Sequence, residues 1–183
     1  MKLAPIARWL RNFAEDTRGV MSLEFVLMMP PLFITYMAAY VYFDGYRQAA
    51  VNLKAAYTVS DLVSRETEIV NEAYIDSMYS LMQELTRTNN PSSIRISVVR
   101  WDEGDSRYYL DWSKARGGFL PRQNSSLVNI ADRLPQMPDN ERVILVETRN
   151  TFIPLYAIGM DNIDLDNFVF TRPRFAPQVV FES

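Results

Sequence analysis

The chain has 183 residues, 48% of them apolar and 22% charged, with a formal net charge of −3. That balance suits a folded chain rather than a disordered one, and it supplies no global basic field of the kind nucleic acid requires. Cys and His are both absent, which removes thiol nucleophiles, imidazole bases, the common zinc sites and Ser-His-Asp catalysis together.

Residues 1–18 place Lys2, Arg8, Arg11 and Arg18 against Glu15 and Asp16. Ile6, Trp9, Leu10 and Phe13 recur at helical spacing, so this leader is either a short interfacial amphipathic helix or a frayed charged tail. From Phe25 to Phe43 no residue carries a formal charge, close to the length of about 20 residues that a helix needs to cross a bilayer core. A transmembrane helix is therefore predicted. The basic leader keeps the N-terminus cytoplasmic, and the mixed charges Asp44 and Arg47 put the remainder across the membrane. A secretory signal peptide fits less well. Its apolar core runs to about 15 residues and ends in a small-residue cleavage site, whereas here the conspicuous small residue, Gly19, comes before the run. Pro30 and Pro31 lie inside the span. Each lacks an N–H for the carbonyl one turn back, at Val26 and Leu27, which predicts a kink or a locally unwound turn covered by a partner helix.

The helical pattern continues past Phe43, with Tyr46, Ala49, Ala50, Leu53, Ala56 and Tyr57 on one face and Arg47, Lys54, Thr58 and Asp61 largely elsewhere. A continuous helix from Val20 to about Arg65 would be roughly 69 Å long at 1.5 Å per residue, with its outer half as the spine of a head and Gly45 as its weak point. A second helix is predicted over 68–87, ended by Thr88, Asn89, Asn90 and Pro91. Ile94, Ile96 and Val98 alternate with Arg95 and Ser97, and a turn at 102–105 leads into residues 107–112, which reads as a hairpin. Asn124, Ser125 and Ser126 cap a short helix through Arg133. The strongest strand runs from Arg142 to Phe152, with Val143, Leu145 and Glu147 on one face and Ile144 and Val146 on the other. Being apolar on both sides at its start, it belongs inside a sheet. Residues 159–167 read as a loop and 168–172 as a last strand. The acidic part of that loop, 161–166, lacks the order of a calcium-binding loop because Ile163 and Leu165 fall where oxygen ligands belong. It reads as a solvated turn, and no metal or cofactor is expected.

The sharpest signal is the spacing of Gly19 and Glu24 ahead of the apolar helix. A cut after Gly19 would create an amine on Val20, one helical turn from the Glu24 carboxylate. A carboxylate at the end of a membrane segment calls for a cationic partner. Gly19, Glu24, Phe25 and the long apolar helix resemble the processing site of type IV prepilins and pseudopilins, and most closely the TadE-like proteins of the tight-adherence (Flp) pilus system. Three stretches carry the resemblance: RGVMSLEF at 18–25, KAAYTVSDLVSRE at 54–66 and RPRFAP at 172–177. Phe25 stands where that family often has Tyr.

The resemblance implies a minor pseudopilin, not an enzyme, processed after Gly19 by a prepilin peptidase. Its implied partners are other pilins or pseudopilins and the inner-membrane assembly platform, with no nucleic acid. The expected organisation is a cytoplasmic, cleaved leader (1–19), a transmembrane helix (20–43), its periplasmic extension (44–66) and a periplasmic head (67–183). The fold class is α+β, with a second helix and a small antiparallel sheet of about four strands. The protein is then an inner-membrane, single-pass protein that can pass into an extracellular pilus. The alternative is an uncleaved single-pass protein whose head binds a ligand or an envelope component.

Overall fold

In a computed structural model, residues 8, 11–13, 15, 20–87 and 89–182 are described. The order of elements is α1 (Val20–Ser64), α2 (Glu72–Thr86), β1 (Ser92–Asp102), β2 (Arg107–Arg116), a 3-10 helix (Asn124–Arg133), β3 (Arg142–Phe152) and β4 (Ile163–Thr171). The chain is α+β. One N-terminal helix is long and apolar enough to span a membrane, and one four-stranded sheet is built entirely of antiparallel pairs in the order β2-β1-β3-β4.

The two central strands, β1 and β3, are apolar on both faces because both faces are covered. Ile94, Ile96, Val98, Ile144 and Val146 point to one side, where they form a core with Ala55, Val59 and Val63 of α1 and with Ile75 and Met82 of α2. Val99, Val143 and Leu145 point to the other side and meet Leu127 and Ile130 of the 3-10 helix, with Leu134 and Met137 beyond it. The reading of β3 as an internal strand with those two faces is confirmed, and its limits agree with the expected Arg142–Phe152. The predicted hairpin is also present, joined by a turn in which Ser106 has φ 50. A bulge between Val98 and Val99 leaves Asp111 of β2 outside the pairing register. Asp111 there accepts from Arg142 Nε at 2.7 Å.

Helix α2 begins later than expected. Asn71 is its N-cap, its side chain accepting from the Tyr74 amide, and Arg87 closes it in the left-handed region. Residues 66–70 are instead a link whose Val70 forms a parallel bridge with Phe181. The segment 124–133 is helical as predicted, but of the 3-10 type, and its N-cap is Gln123 without a side-chain cap bond. Asn124 has other work, accepting from the Leu110 amide at 2.9 Å and so tying this helix to edge strand β2.

Two expectations are corrected. The first concerns the face that α1 turns to the head. Tyr46 is 77% exposed, Tyr57 58% and Leu53 41%, whereas the buried stripe is Val41, Asn52, Ala55, Ala56, Val59, Ser60, Val63 and Ser64. At 100° per residue the two stripes are centred roughly 100° apart around the helix, and of the expected face Ala56 lies in the buried one. The packing face is the one made of small side chains, because they let the helix axis approach the sheet and α2 closely, while bulky tyrosines would hold it away. The second concerns residues 163–167, which belong to β4 and not to a loop. Asp164 and Asp166 share one face of that strand and are answered from β3. Thr151 Oγ1 donates to Asp164 at 2.8 Å, and Arg149 grips Asp166 in a bidentate pair at 2.6 and 2.8 Å. The alternation of acid with Ile163 and Leu165 that argued against a calcium loop is the period of a strand.

Gly45 sits where α1 meets the β3–β4 connection. A Cβ built there lies 3.5 Å from both Met160 Sδ and Phe152 Cε1, which is ordinary contact. Gly45→Ala should therefore stabilise the protein by about 1 kcal/mol, the helix-propensity difference. The check is the denaturation midpoint of the detergent-solubilised chain, which should rise; a fall would mean that the helix and the connection are closer than described.

Candidate functional site

The N-terminal half of α1 stands free of the head. Met21 is 81% exposed and Leu27 73%, and Leu23, Phe25, Val26, Met28, Leu32, Phe33 and Ile34 are exposed as well. The segment has the length and the all-round apolar surface of a candidate membrane span. Among the described residues, the first of the helix to be buried is Val41, and next to it the Tyr42 hydroxyl donates to the Gly159 carbonyl at 3.1 Å. Of the predicted site residues, Glu24 and Phe25 lie exposed in the first turns of this bare segment. Val20 is its first helical residue, and Gly19 lies outside the described residues. Pro30 and Pro31 are both exposed inside a helix assigned without interruption from Val20 to Ser64. Thr35 Oγ1 donates to the Pro31 carbonyl at 2.8 Å.

The structure also joins two of the stretches named in the sequence. Residues 54–64 form the last turns of α1, and the 172–177 stretch meets its end through Arg174. The Arg174 amide donates to the Ser64 carbonyl at 2.8 Å, and the Arg174 guanidinium reaches Asp61 at 3.2 Å. The last turn of α1 thus receives a donor for a carbonyl that has no partner within the helix. Beyond it, Val179 is buried and its carbonyl accepts from Trp112 Nε1 at 2.8 Å, which holds the C-terminal tail against β2.

Sequence reading passed over a buried ionic cluster on the far face of the sheet. Glu147, on central strand β3, receives Arg95 through Nε and Nη2 at 2.7 and 2.8 Å. Arg122 adds Nη2 at 2.6 Å and Nε at 3.3 Å. The three side chains are 12%, 18% and 8% exposed. Arg95 Nη1 also donates to the Leu120 carbonyl, and its guanidinium lies 5.0 Å from the centre of the Phe119 ring. The arrangement clamps the segment after β2 onto the sheet. Burial alone would push the Glu147 carboxyl up, but the hydrogen bonds from Arg95 and Arg122 outweigh it and hold the group below its ordinary value. The available signal was Glu147 itself, a carboxylate directly after the apolar run 143–146 of an internal strand, which requires a cation above it.

A cleft of about 790 Å³ opens between the β1–β2 hairpin and the 3-10 helix, lined by Trp101, Arg107, Tyr108, Asn124, Val128 and Asp132 among others. The Trp101 and Tyr108 rings in its wall are 4.6 Å apart. Among the described residues, no group of three or more carboxylates is placed to hold a metal ion. No family model matches this chain, and neither the curated proteins nor the solved structures include a match to it.

Removing one partner of a buried ion pair strands the others, at a cost of roughly 3 kcal/mol. Glu147→Gln should lower stability by about that much near neutral pH. The lowered value fixes the sign. The stabilisation from Glu147 is complete above the ordinary carboxylate pKa of about 4.3 and is lost as pH falls through the lower folded value. The variant's stability should consequently converge on that of the parent in acid, as read from urea midpoints across pH. A constant gap would mean that the loss is one of shape and not of charge.

Proposed function

We propose that this chain is a minor pseudopilin of a tight-adherence (TadE-like) pilus system, held in the inner membrane with its N-terminus inside and its α+β head in the periplasm. On this reading a prepilin peptidase cuts after Gly19. The exposed amine of Val20, on this chain or on a neighbour, then pairs with Glu24, a carboxylate otherwise costly near hydrocarbon. The reading is supported by the residues at 18–25 and, above all, by the two-sided character of α1. Its buried stripe belongs to the head. Its opposite face, with Phe43, Tyr46, Ala50, Leu53 and Tyr57 at alternating steps of three and four, is exposed and continuous with the bare apolar segment. That spacing is the one by which a helix packs along another helix. The chain is built to be covered by like helices of an assembly subcomplex or fibre, which would also shield the Val26 and Leu27 carbonyls released by Pro30 and Pro31. The protein acts through assembly and carries out no catalysis.

The second reading, an uncleaved anchor whose head binds a ligand, is favoured by one observation, the aromatic-walled cleft beside the 3-10 helix. Substitution at Gly19 separates the two. With an active peptidase, mass spectrometry of the membrane-extracted protein should find a chain beginning at Val20, and Gly19→Lys should leave the leader attached and abolish piliation. A chain still beginning at Met1 in such cells would rule out the pseudopilin reading. Single cysteines at Ala50 or Leu53, in a chain that has none of its own, should cross-link to neighbouring helices in assembled material, whereas one at Thr58 should do so weakly.

A further inference from the structure

The β3–β4 connection, residues 153–162, has no place in the reading above except as a link. Its first eight residues, IPLYAIGM, carry no formal charge. Ile153 is 49% exposed, Leu155 69% and Tyr156 39%. This exposed apolar segment is pinned to α1 at two levels, by the Tyr42 hydroxyl on the Gly159 carbonyl and by Gly45 against Met160 and Phe152. β3 runs toward the bare half of α1, so the chain beyond Phe152 extends past the end of the sheet in that direction.

The helix supplies a ruler. Glu24 and Tyr42 are separated by roughly 27 Å at 1.5 Å per residue, and a bilayer's hydrocarbon core is about 30 Å thick. With Glu24 at one boundary, Tyr42 lies at the other, among the tyrosines at 36, 40 and 46 that suit an aromatic belt. The Gly159 carbonyl lies at the same level. We propose that residues 153–158 are a second membrane contact: the connection inserts Ile153, Leu155 and Tyr156 among the headgroups and upper acyl chains of the outer leaflet, beside the point where α1 leaves it. The occupant is lipid and not protein, because the segment lies at the bilayer boundary fixed by the helix and carries the mixed aliphatic and tyrosine side chains that this zone favours. The proposal rests on α1 spanning the membrane, and its test separates the two claims.

The full chain is reconstituted into vesicles of phosphatidylethanolamine and phosphatidylglycerol, with a polarity-sensitive fluorophore on a single introduced cysteine. Leu155→Cys reports the proposed contact, Leu32→Cys the span, and Glu103→Cys the distant hairpin turn. Tyr156→Cys repeats the first measurement at an independent position. Position 155 should shift to the blue and lose much of its emission to a nitroxide near the headgroup end of the acyl chain, and little to one at the chain terminus. Position 32 should show the reverse preference, and position 103 neither. If position 32 is quenched while 155 and 156 behave like 103, the proposal is overturned and the span stands. A blue shift at 155 without quenching by any lipid nitroxide also overturns it, since protein then covers the segment. Absence of quenching at position 32 removes both.

Discussion

Everything in this molecule depends on one helix having to present two different kinds of surface. From Met21 to Tyr36 α1 exposes apolar side chains all round, and from Val41 to Ser64 it buries a single narrow stripe. The change occurs within one continuous helix, which is why the head has no freedom to choose its own position. The sheet must pack where the small residues are. Ala55, Ala56, Ser60 and Ser64 give a close approach, and the buried apolar area of Val59 and Val63 on Ile94, Ile96, Ile144 and Val146 supplies the driving force. The opposite face is left to whatever surrounds the protein.

The second layer of the head answers a different need. A sheet whose central strands are apolar on both faces cannot leave one of them in water, and a single helical hairpin covers only one. The 3-10 helix and the segment from 117 to 122 close the other face, the former by Leu127 and Ile130, the latter by the Arg95–Glu147–Arg122 cluster. Charge and apolar packing share that face along the length of β3: Val143 and Leu145 meet the helix, and Glu147, two residues on, meets the arginines. The same strand thus carries the head's far-side core and its buried ion cluster.

Much of this was legible in the chain. The apolar run, its continuation as one helix, the hairpin and the limits of β3 all follow from periodicity, because each of these elements has a burial pattern dictated by its own residues. What escaped was decided by partners distant in sequence. The packing face of α1 could not be read from hydrophobicity, since the tyrosines and leucine look more core-like than the alanines and serines that are buried. The first part of strand β4, residues 163–167, was hidden because Asp164 and Asp166 signal solvent unless Arg149 and Thr151 are known to stand beside them. The Glu147 cluster joins residues 95, 122 and 147, and only the strand register reveals it. Of the residues proposed for processing, Glu24 and Phe25 are exposed on the bare helix, and Gly19 lies outside the described residues.

The lack of any joint between the apolar segment and the head has a mechanical consequence. Since α1 enters the core as the same helix that leaves the bare segment, there is no linker in which a rotation could be absorbed. The orientation of the sheet, of the cleft beside it and of the connection at 153–162 is geared to the tilt of the helix axis. Only Pro30 and Pro31, where the i to i−4 ladder lacks two donors, offer compliance, and they lie below every contact with the head. A bend there swings the head as one rigid lever, and an axial pull on the apolar segment is borne directly by the side chains between Val41 and Ser64.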